Sequence, residues 1–347
     1  MTTSADAAVT VDTDLLEMMD GVMAAYRATH PPTGAVLHDS GLWSRLDELG
    51  LVRLTGSPDN GGSGAGWAES AELISAAARH AVRVPLAEHD LLACWLLESV
   101  GLPVDQSVRT VCVLAESGTA TGVPWAVSAQ RVVVVWAAGE GHRVADVAPD
   151  ALRISPGTNA IGEPRDTVAA DLAALAPQGT AVSNTLVAQL RLKAALVRSV
   201  QICAALDSAL DLTIEHTCSR VQFGRPLSKF QAVQHMVADI AAEAALARAA
   251  TEAAVTVAIA SDWAADNLPF LIAVARSCAG HAASVVSRNA HQAHGAIGTT
   301  IEHRLHEYTR AALAWRSEYG SVRHWDDVLT RAALSAGVSG LWPLIAD

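Results

Sequence analysis

The segment Arg220-Val-Gln-Phe-Gly-Arg-Pro-Leu-Ser-Lys-Phe-Gln231 has the residue types of an anion-binding corner. Gly224 permits a tight turn. Arg220 and Arg225 flank it, and a planar guanidinium suits a diphosphate in a bidentate fork. Phe223 offers an apolar platform for a flat ring, and Gln234 and Asp239 follow on the next helix. The plainer alternative is an ordinary helix–helix corner with solvated arginines. A second segment runs Gln292-Ala-His-Gly-Ala-Ile-Gly-Thr-Thr-Ile-Glu-His303, then Leu305, His306, Tyr308 and Arg310. Gly295 and Gly298 let the backbone approach a ligand closely. Gln292 can reach an amide or a sugar hydroxyl. His291, His294, His303 and His306 invite a metal. However, His303 and His306 are an i, i+3 pair without a third ligand of clear spacing, so satisfied histidines are expected and no metal.

These residues need long helices to hold them. Hydrophobic residues make up 51% of the 347-residue chain and aromatics only 4%, with Ala abundant. That balance favours closely packed helices over a β-sandwich. Helical spacing covers 14–105, where Leu42, Leu46 and Leu49 end at Gly50. The loop Ser57-Pro-Asp-Asn-Gly-Gly-Ser-Gly64 interrupts it, and helices are expected over 68–80 and 86–100. Short β-type runs follow: 111–114, 131–137 and 143–147. The apolar run Val132–Trp136 suggests a strand covered on both faces. Helical character returns at 185–217, 230–260, 268–293 and about 302–316, which predicts an antiparallel four-helix bundle. The fold class is thus mainly α with a small β domain. Its parts are an N-terminal helical domain (1–107), a reduced middle β domain (108–183) and the bundle (184–347).

The net charge of −12 argues against nucleic acid and anionic membranes as partners. Cys94, Cys112, Cys203, Cys218 and Cys278 are scattered without a CxxC pair, so buried free thiols are expected rather than disulfides or zinc. Met1–Asp14 lacks a signal-peptide pattern. No apolar run reaches ~20 residues without charges, so no membrane insertion is expected. The cytoplasm is the expected location.

The two segments together resemble the acyl-CoA dehydrogenase family. Its pattern R-x-Q-F-G-x-P-L-x-x-F-Q-x-x-Q is matched nearly throughout by Arg220–Gln234. A Q-x-x-G-x-x-G-x-T-x-E-like run is matched by Gln292, Gly295, Gly298, Thr300 and Glu302, with Arg310 beyond. The loop from Pro58 to Gly64 is similar to the family's P-E-x-x-G-G-x-G turn. The resemblance is strong from 185 onward, moderate over 40–105 and weak in the β unit. It implies an FAD site shared between subunits, with Arg220, Gln222, Phe223, Leu227, Phe230, Gln234, Gln292, Gly295 and Ala296 contacting cofactor. It also implies α,β-dehydrogenation of an acyl-CoA thioester, with electron-transfer flavoprotein as acceptor.

The sequence departs from the family where the base should be. Gly320-Ser321 is the pair that usually follows a catalytic Glu, and Tyr319 stands at that place with Glu318 one residue away. The alternative base position, on the first bundle helix, falls near Ala194, among Arg191, Lys193 and Ala195. Leu114-Ala-Glu-Ser-Gly-Thr-Ala-Thr121, followed by Val123-Pro-Trp125, replaces the family's T-E-P-x-x-G-S-D-like flavin segment. Some actinobacterial-type members are heterotetramers in which one subunit supplies the base, and several act on steroid side-chain thioesters. Three readings stay open: a base-lacking subunit of such a heterotetramer, a homo-oligomeric dehydrogenase using Glu318, and a non-catalytic scaffold that kept the fold.

Overall fold

The computed structural model describes residues 11–31 and 35–346. Of the Met1–Asp14 segment, the part up to Thr10 lies outside the described residues. Val11–Ala194 form one compact unit, and the chain from Ala195 onward forms another.

In the first unit, α1 (Thr13–Thr29) and α2 (Ser40–Glu48) begin at aspartate caps. Asp12 accepts from the N–H groups of Asp14 and Leu15, and Asp39 accepts from Leu42. The glycine loop then closes on itself. A Cβ on Gly62 would lie 2.1 Å from the Gly56 carbonyl oxygen, so only glycine fits there. α3 (Trp67–Arg79) packs with α1 and α2 around Met19, Met23, Trp43, Leu46 and Leu73. The helix expected over 86–100 is a π-helical stretch, Ala87–Cys94, running into α4 (Trp95–Ser99). The wider turn carries a buried polar trio, Glu88, His89 and Asp90. His89 Nδ1 accepts the Arg109 backbone N–H at 3.0 Å. Asp90 accepts from the N–H and hydroxyl of Thr55 at 2.9 and 3.0 Å. Burial pushes His89 down to about 3 and Asp90 up to about 6.

The β region holds β1 (Arg109–Val113), β2 (Thr119–Pro124), β3 (Arg131–Ala138), β4 (Gly141–Val147), β5 (Arg153–Ser155) and β6 (Arg165–Ala169). A short helix, α5 (Leu172–Leu175), precedes β7 (Thr180–Val182). One sheet runs β1-β3-β4-β7 and another β2-β6-β5. β3 pairs parallel with β1 and antiparallel with β4. Its Val132–Val135 are fully buried, as their unbroken apolar run predicts.

α6 (Asn184–Ser219) leads from the first unit into the second. There β8 (Val221–Gln222) and β9 (Arg225–Pro226) form a hairpin, followed by α7 (Gln231–Ala260), α8 (Leu268–His294), α9 (Leu305–Trp315) and α10 (Val322–Ala346). α7 pairs along α8, which also packs on α9 and α10. α7 buries Ala244, Ala247, Ala254 and Ala258, and α8 buries Ala275, Ala279, Ala282 and Ala283. Small residues of this kind allow the close end of helix packing distances. The four expected bundle helices are α6–α9, and α10 adds a fifth.

One expectation needs correction, that for the cysteines, and two apolar helices bear on the expected absence of membrane insertion. By length and composition, Leu268–Thr299 and Val322–Ile345 are apolar enough to cross a membrane, because few charges interrupt their central windows. The first is mostly buried as a core helix. Among the cysteines, Cys94, Cys112 and Cys203 are buried thiols, but Cys218 is exposed and Cys278 half-buried.

Candidate functional site

The Arg220 segment is a hairpin whose tip is strained. Val221 pairs with Pro226 and Gln222 with Arg225, leaving Phe223 and Gly224 as the two turn residues. Both have left-handed backbones, with φ of 53° and 77°. A two-residue hairpin turn of this hand favours Asn-Gly. Phe at the first position is uncommon and costs conformational energy. The Phe223 side chain is nevertheless 90% exposed. Strain maintained on an exposed aromatic points to a binding role rather than to packing.

The rest of the segment supports the tip. The Leu227 N–H donates to the Arg220 carbonyl at 2.9 Å. Arg225 lies over the Phe230 ring at 4.1 Å, a cation–π contact, and Phe223 meets the edge of the same ring at 6.1 Å. Gln234 Nε2 donates to the Ser228 carbonyl at 2.9 Å. Arg220, Gln222 and Gln234 are exposed, while Leu227 and Phe230 are half-buried.

The second segment arrives at the same end of the unit. His294, the last residue of α8, stacks on His216, near the end of α6, with ring centroids 4.5 Å apart. The Arg220 N–H donates to the His216 carbonyl. The hairpin and the turn after α8 therefore spring from adjoining helix ends. Gln292, Gly295 and Ala296 are exposed there. Gly295 has φ 64° and open space where a side chain would stand. Guanidiniums, an amide, an open glycine turn and a bare aromatic ring form a donor set that fits a dinucleotide's diphosphate and flat ring.

The base region has a different character. The Glu318 carboxylate accepts from Arg198 Nε at 2.7 Å, with Arg198 1% exposed and Glu318 16%. Arg198 also donates to Gln201 at 2.6 Å and lies over the Tyr319 ring at 5.2 Å. A second buried arginine, Arg276, reaches the carbonyls of Arg316 at 3.1 Å, Glu318 at 2.8 Å and Gly320 at 3.2 Å. Burial and the neighbouring Arg198 lower Arg276 to about 10. Tyr319 has φ 52°. Ala194 is buried, and its neighbour Lys193 is buried against the Trp67 and Trp95 rings at 5.0 and 4.5 Å. Sequence reasoning missed Arg198 and Arg276. Arginine at an interior helix position was the available signal. In place of the family's flavin segment, β1 turns into β2 through Gly118, where a Cβ would lie 2.6 Å from the Ala170 carbonyl oxygen.

A model of the acyl-CoA dehydrogenase C-terminal domain matches residues 178–322, which span the hairpin, the α8 turn and Glu318. Over those residues the chain is similar to the acyl-CoA dehydrogenase family. Acyl-CoA dehydrogenase IpdE2 of Mycolicibacterium smegmatis is 29% identical over 79% of this chain and 82% of its own length. Among solved structures, the ChsE4-ChsE5 complex of Mycobacterium tuberculosis includes a chain with TM-score 0.81 and 22% identity, covering 94% of this chain and 98% of that one. A glutaryl-CoA dehydrogenase of Mycobacterium smegmatis in complex with FADH2 has TM-score 0.75 and 13% identity, covering 94% and 95%. At these identities the structural likeness establishes the fold, which is that of the acyl-CoA dehydrogenases.

Proposed function

We propose that this chain is the base-lacking subunit of an acyl-CoA dehydrogenase that oxidises the α,β bond of an acyl-CoA thioester. It completes an FAD site shared with a related partner subunit, which supplies the base. The observation that carries this reading is the strained hairpin tip, with Phe223 bare and guanidiniums beside it. A surface of that kind suits the diphosphate and adenine half of a dinucleotide held by another chain. Arg220 and Gln222 would bind the diphosphate, Phe223 would cover the ring, and Gln292, Gly295 and Ala296 would line the neighbouring wall. Leu227, Phe230 and Gln234 would hold the hairpin's shape. Bound flavin supplies a hydride acceptor, and electron-transfer flavoprotein is the expected onward acceptor.

The alternative of a homo-oligomer using Glu318 is less favoured by the geometry. A general base must have a lone pair free to meet the substrate proton. Here one carboxylate oxygen is held by a buried arginine. The heteromeric reading agrees with ChsE4-ChsE5, which is a complex.

Flavin content, read by visible absorbance, tests the reading. The chain purified alone is expected to be colourless and to carry FAD when co-expressed with a related base-bearing subunit. Arg220→Ala should then reduce flavin retention in the complex. A stoichiometrically yellow protein purified alone, with turnover lost in Glu318→Gln, would instead establish the homo-oligomer. A chain colourless with every related partner would leave the scaffold reading.

A further inference from the structure

We propose that His216, His294 and His303 form a binding site for one divalent first-row transition-metal ion of the zinc class. The three residues come from separate places: near the end of α6, the last residue of α8, and the loop before α9. One ring nitrogen of each lies within 4.8 Å of the other two. Nitrogen ligands around a tetrahedral zinc sit about 3.3 Å apart, given zinc–nitrogen bonds of about 2.0–2.1 Å. To close that gap, the half-buried His216 would turn out of its near-parallel stack on His294 so that the two in-plane lone pairs converge, and the half-buried His303 would turn toward them. His294 is the fixed member. It is 5% exposed, and Gly298 lies so close that a Cβ there would be 2.7 Å from the His294 Cβ.

The tautomer of His294 is set by its neighbour. Nδ1 lies 2.7 Å from the Ala290 carbonyl, which can only accept, so Nδ1 carries the proton. Nε2 therefore presents a bare lone pair. It is buried and has no hydrogen-bond partner. A buried polar atom without a partner is costly and calls for an explanation. A ring whose other nitrogen donates to a backbone carbonyl is the common arrangement of a metal-ligating histidine. His303 needs adjustment, because its Nδ1 accepts the Leu305 N–H at 3.1 Å. Ligation through its Nε2 would move the ring proton to Nδ1 and give up that bond.

The electrostatics suit neutral ligands. Burial lowers His294 to about 4 and also lowers His216 and His303. Imidazoles must be neutral to bind a metal. Arg220 acts against a cation at His216, and Glu215 acts in favour of one at His303. His291 and His306 add smaller repulsions. Three nitrogen donors suit zinc, nickel or copper better than magnesium or calcium, and they leave a fourth position for water. The sequence spacing of His303 and His306 gave no metal site because the third ligand comes from a different helix.

The test uses the full chain without a histidine tag, stripped with chelator. Zn(II) binding is measured by calorimetry and Co(II) binding by visible absorption. One ion per chain is expected, with the intense bands of four-coordinate Co(II). His216→Gln and His303→Gln should each weaken binding about tenfold or more. His306→Gln and His281→Gln should leave it unchanged. Failure to bind equimolar Zn(II), or binding unaffected by the first two substitutions, would overturn the proposal. Those two residues are half-buried, so the test stands even if His294→Gln does not fold. Metal binding is read without flavin, so its failure is separate from failure of the subunit reading.

Discussion

Glu318→Gln separates a structural carboxylate from a catalytic one. The substitution removes the negative charge facing Arg198, which is 1% exposed, while Arg276 lies buried close by. Breaking a fully buried pair costs about 3–5 kcal/mol, because the surviving charge is left uncompensated. Two features reduce that figure. Glu318 is 16% exposed, and a glutamine oxygen can still accept from Arg198 Nε. The expected loss is therefore about 2–3 kcal/mol. The chain divides into two compact units, so a readout resolved by unit is sharper here than a global unfolding curve. Native-state hydrogen exchange of amides in α8 and the C-terminal part of α6 reads the relevant unit directly. The double substitution Glu318→Gln/Arg198→Gln should recover part of the loss, giving a coupling energy of about 1.5 kcal/mol or more. If Glu318→Gln changes protection by less than about 0.5 kcal/mol and abolishes turnover of the assembled enzyme, the structural assignment fails and Glu318 is the base.

Phe223→Asn should raise stability by about 1 kcal/mol, because Asn tolerates the left-handed backbone that Phe resists. The same variant should retain less flavin in the assembled complex, so denaturation and absorbance should move in opposite directions. The first unit should lose stability in acid through His89. Its folded value of about 3 lies below the ordinary 6.5, so the unfolded chain takes up the proton first, and stability present above pH 6.5 is lost towards pH 3. The upper bound is roughly 4–5 kcal/mol at about 1.4 kcal/mol per unit. Asp90, raised to about 6, works in the opposite direction between pH 6 and 3.8. His89→Gln should flatten the acid loss in a pH series of denaturation curves, and an unchanged slope would refute the assignment. Leu206→Ala, at a fully buried position on α6, should cost about 2–5 kcal/mol by urea denaturation.

Much of the helical framework was legible because local pattern and tertiary role agree. The Val132–Trp136 run suggests a strand covered on both faces and is buried as one, and the Ala-rich stretches form the closely packed α7 and α8. β2 was hidden because Gly122 and Pro124 interrupt its pattern, and its pairing with β6 shifts register between Ala120 and Val123. β5 and β7 are too short to show alternation. α10 was hidden for another reason. Gly337 kinks it at φ 65°, and Leu334, Val338, Trp342 and Ile345 stay exposed, so no inward stripe marks it. The histidine cluster depends on two helix ends meeting, which no local spacing records.

The base position shows how far sequence counting reaches. Counting residues places Tyr319 where the family has its carboxylate, and a one-residue shift of the backbone would bring Glu318 there instead. Sequence alone leaves that shift open. The structure opposes it through a residue more than a helix away. Arg276 on α8 donates to the carbonyls of Arg316, Glu318 and Gly320, which bracket the position. Sliding the turn by one residue would break those bonds around a guanidinium already lacking partners at Nε and Nη1. It would also pull Glu318 from Arg198 and leave two buried positive charges without their carboxylate. Each cost is of the order of 1–3 kcal/mol or more per group left unsatisfied. The register is thus fixed by the interior of the helical unit, and the proposal that this chain lacks the base rests on that register as much as on the identity of residue 319.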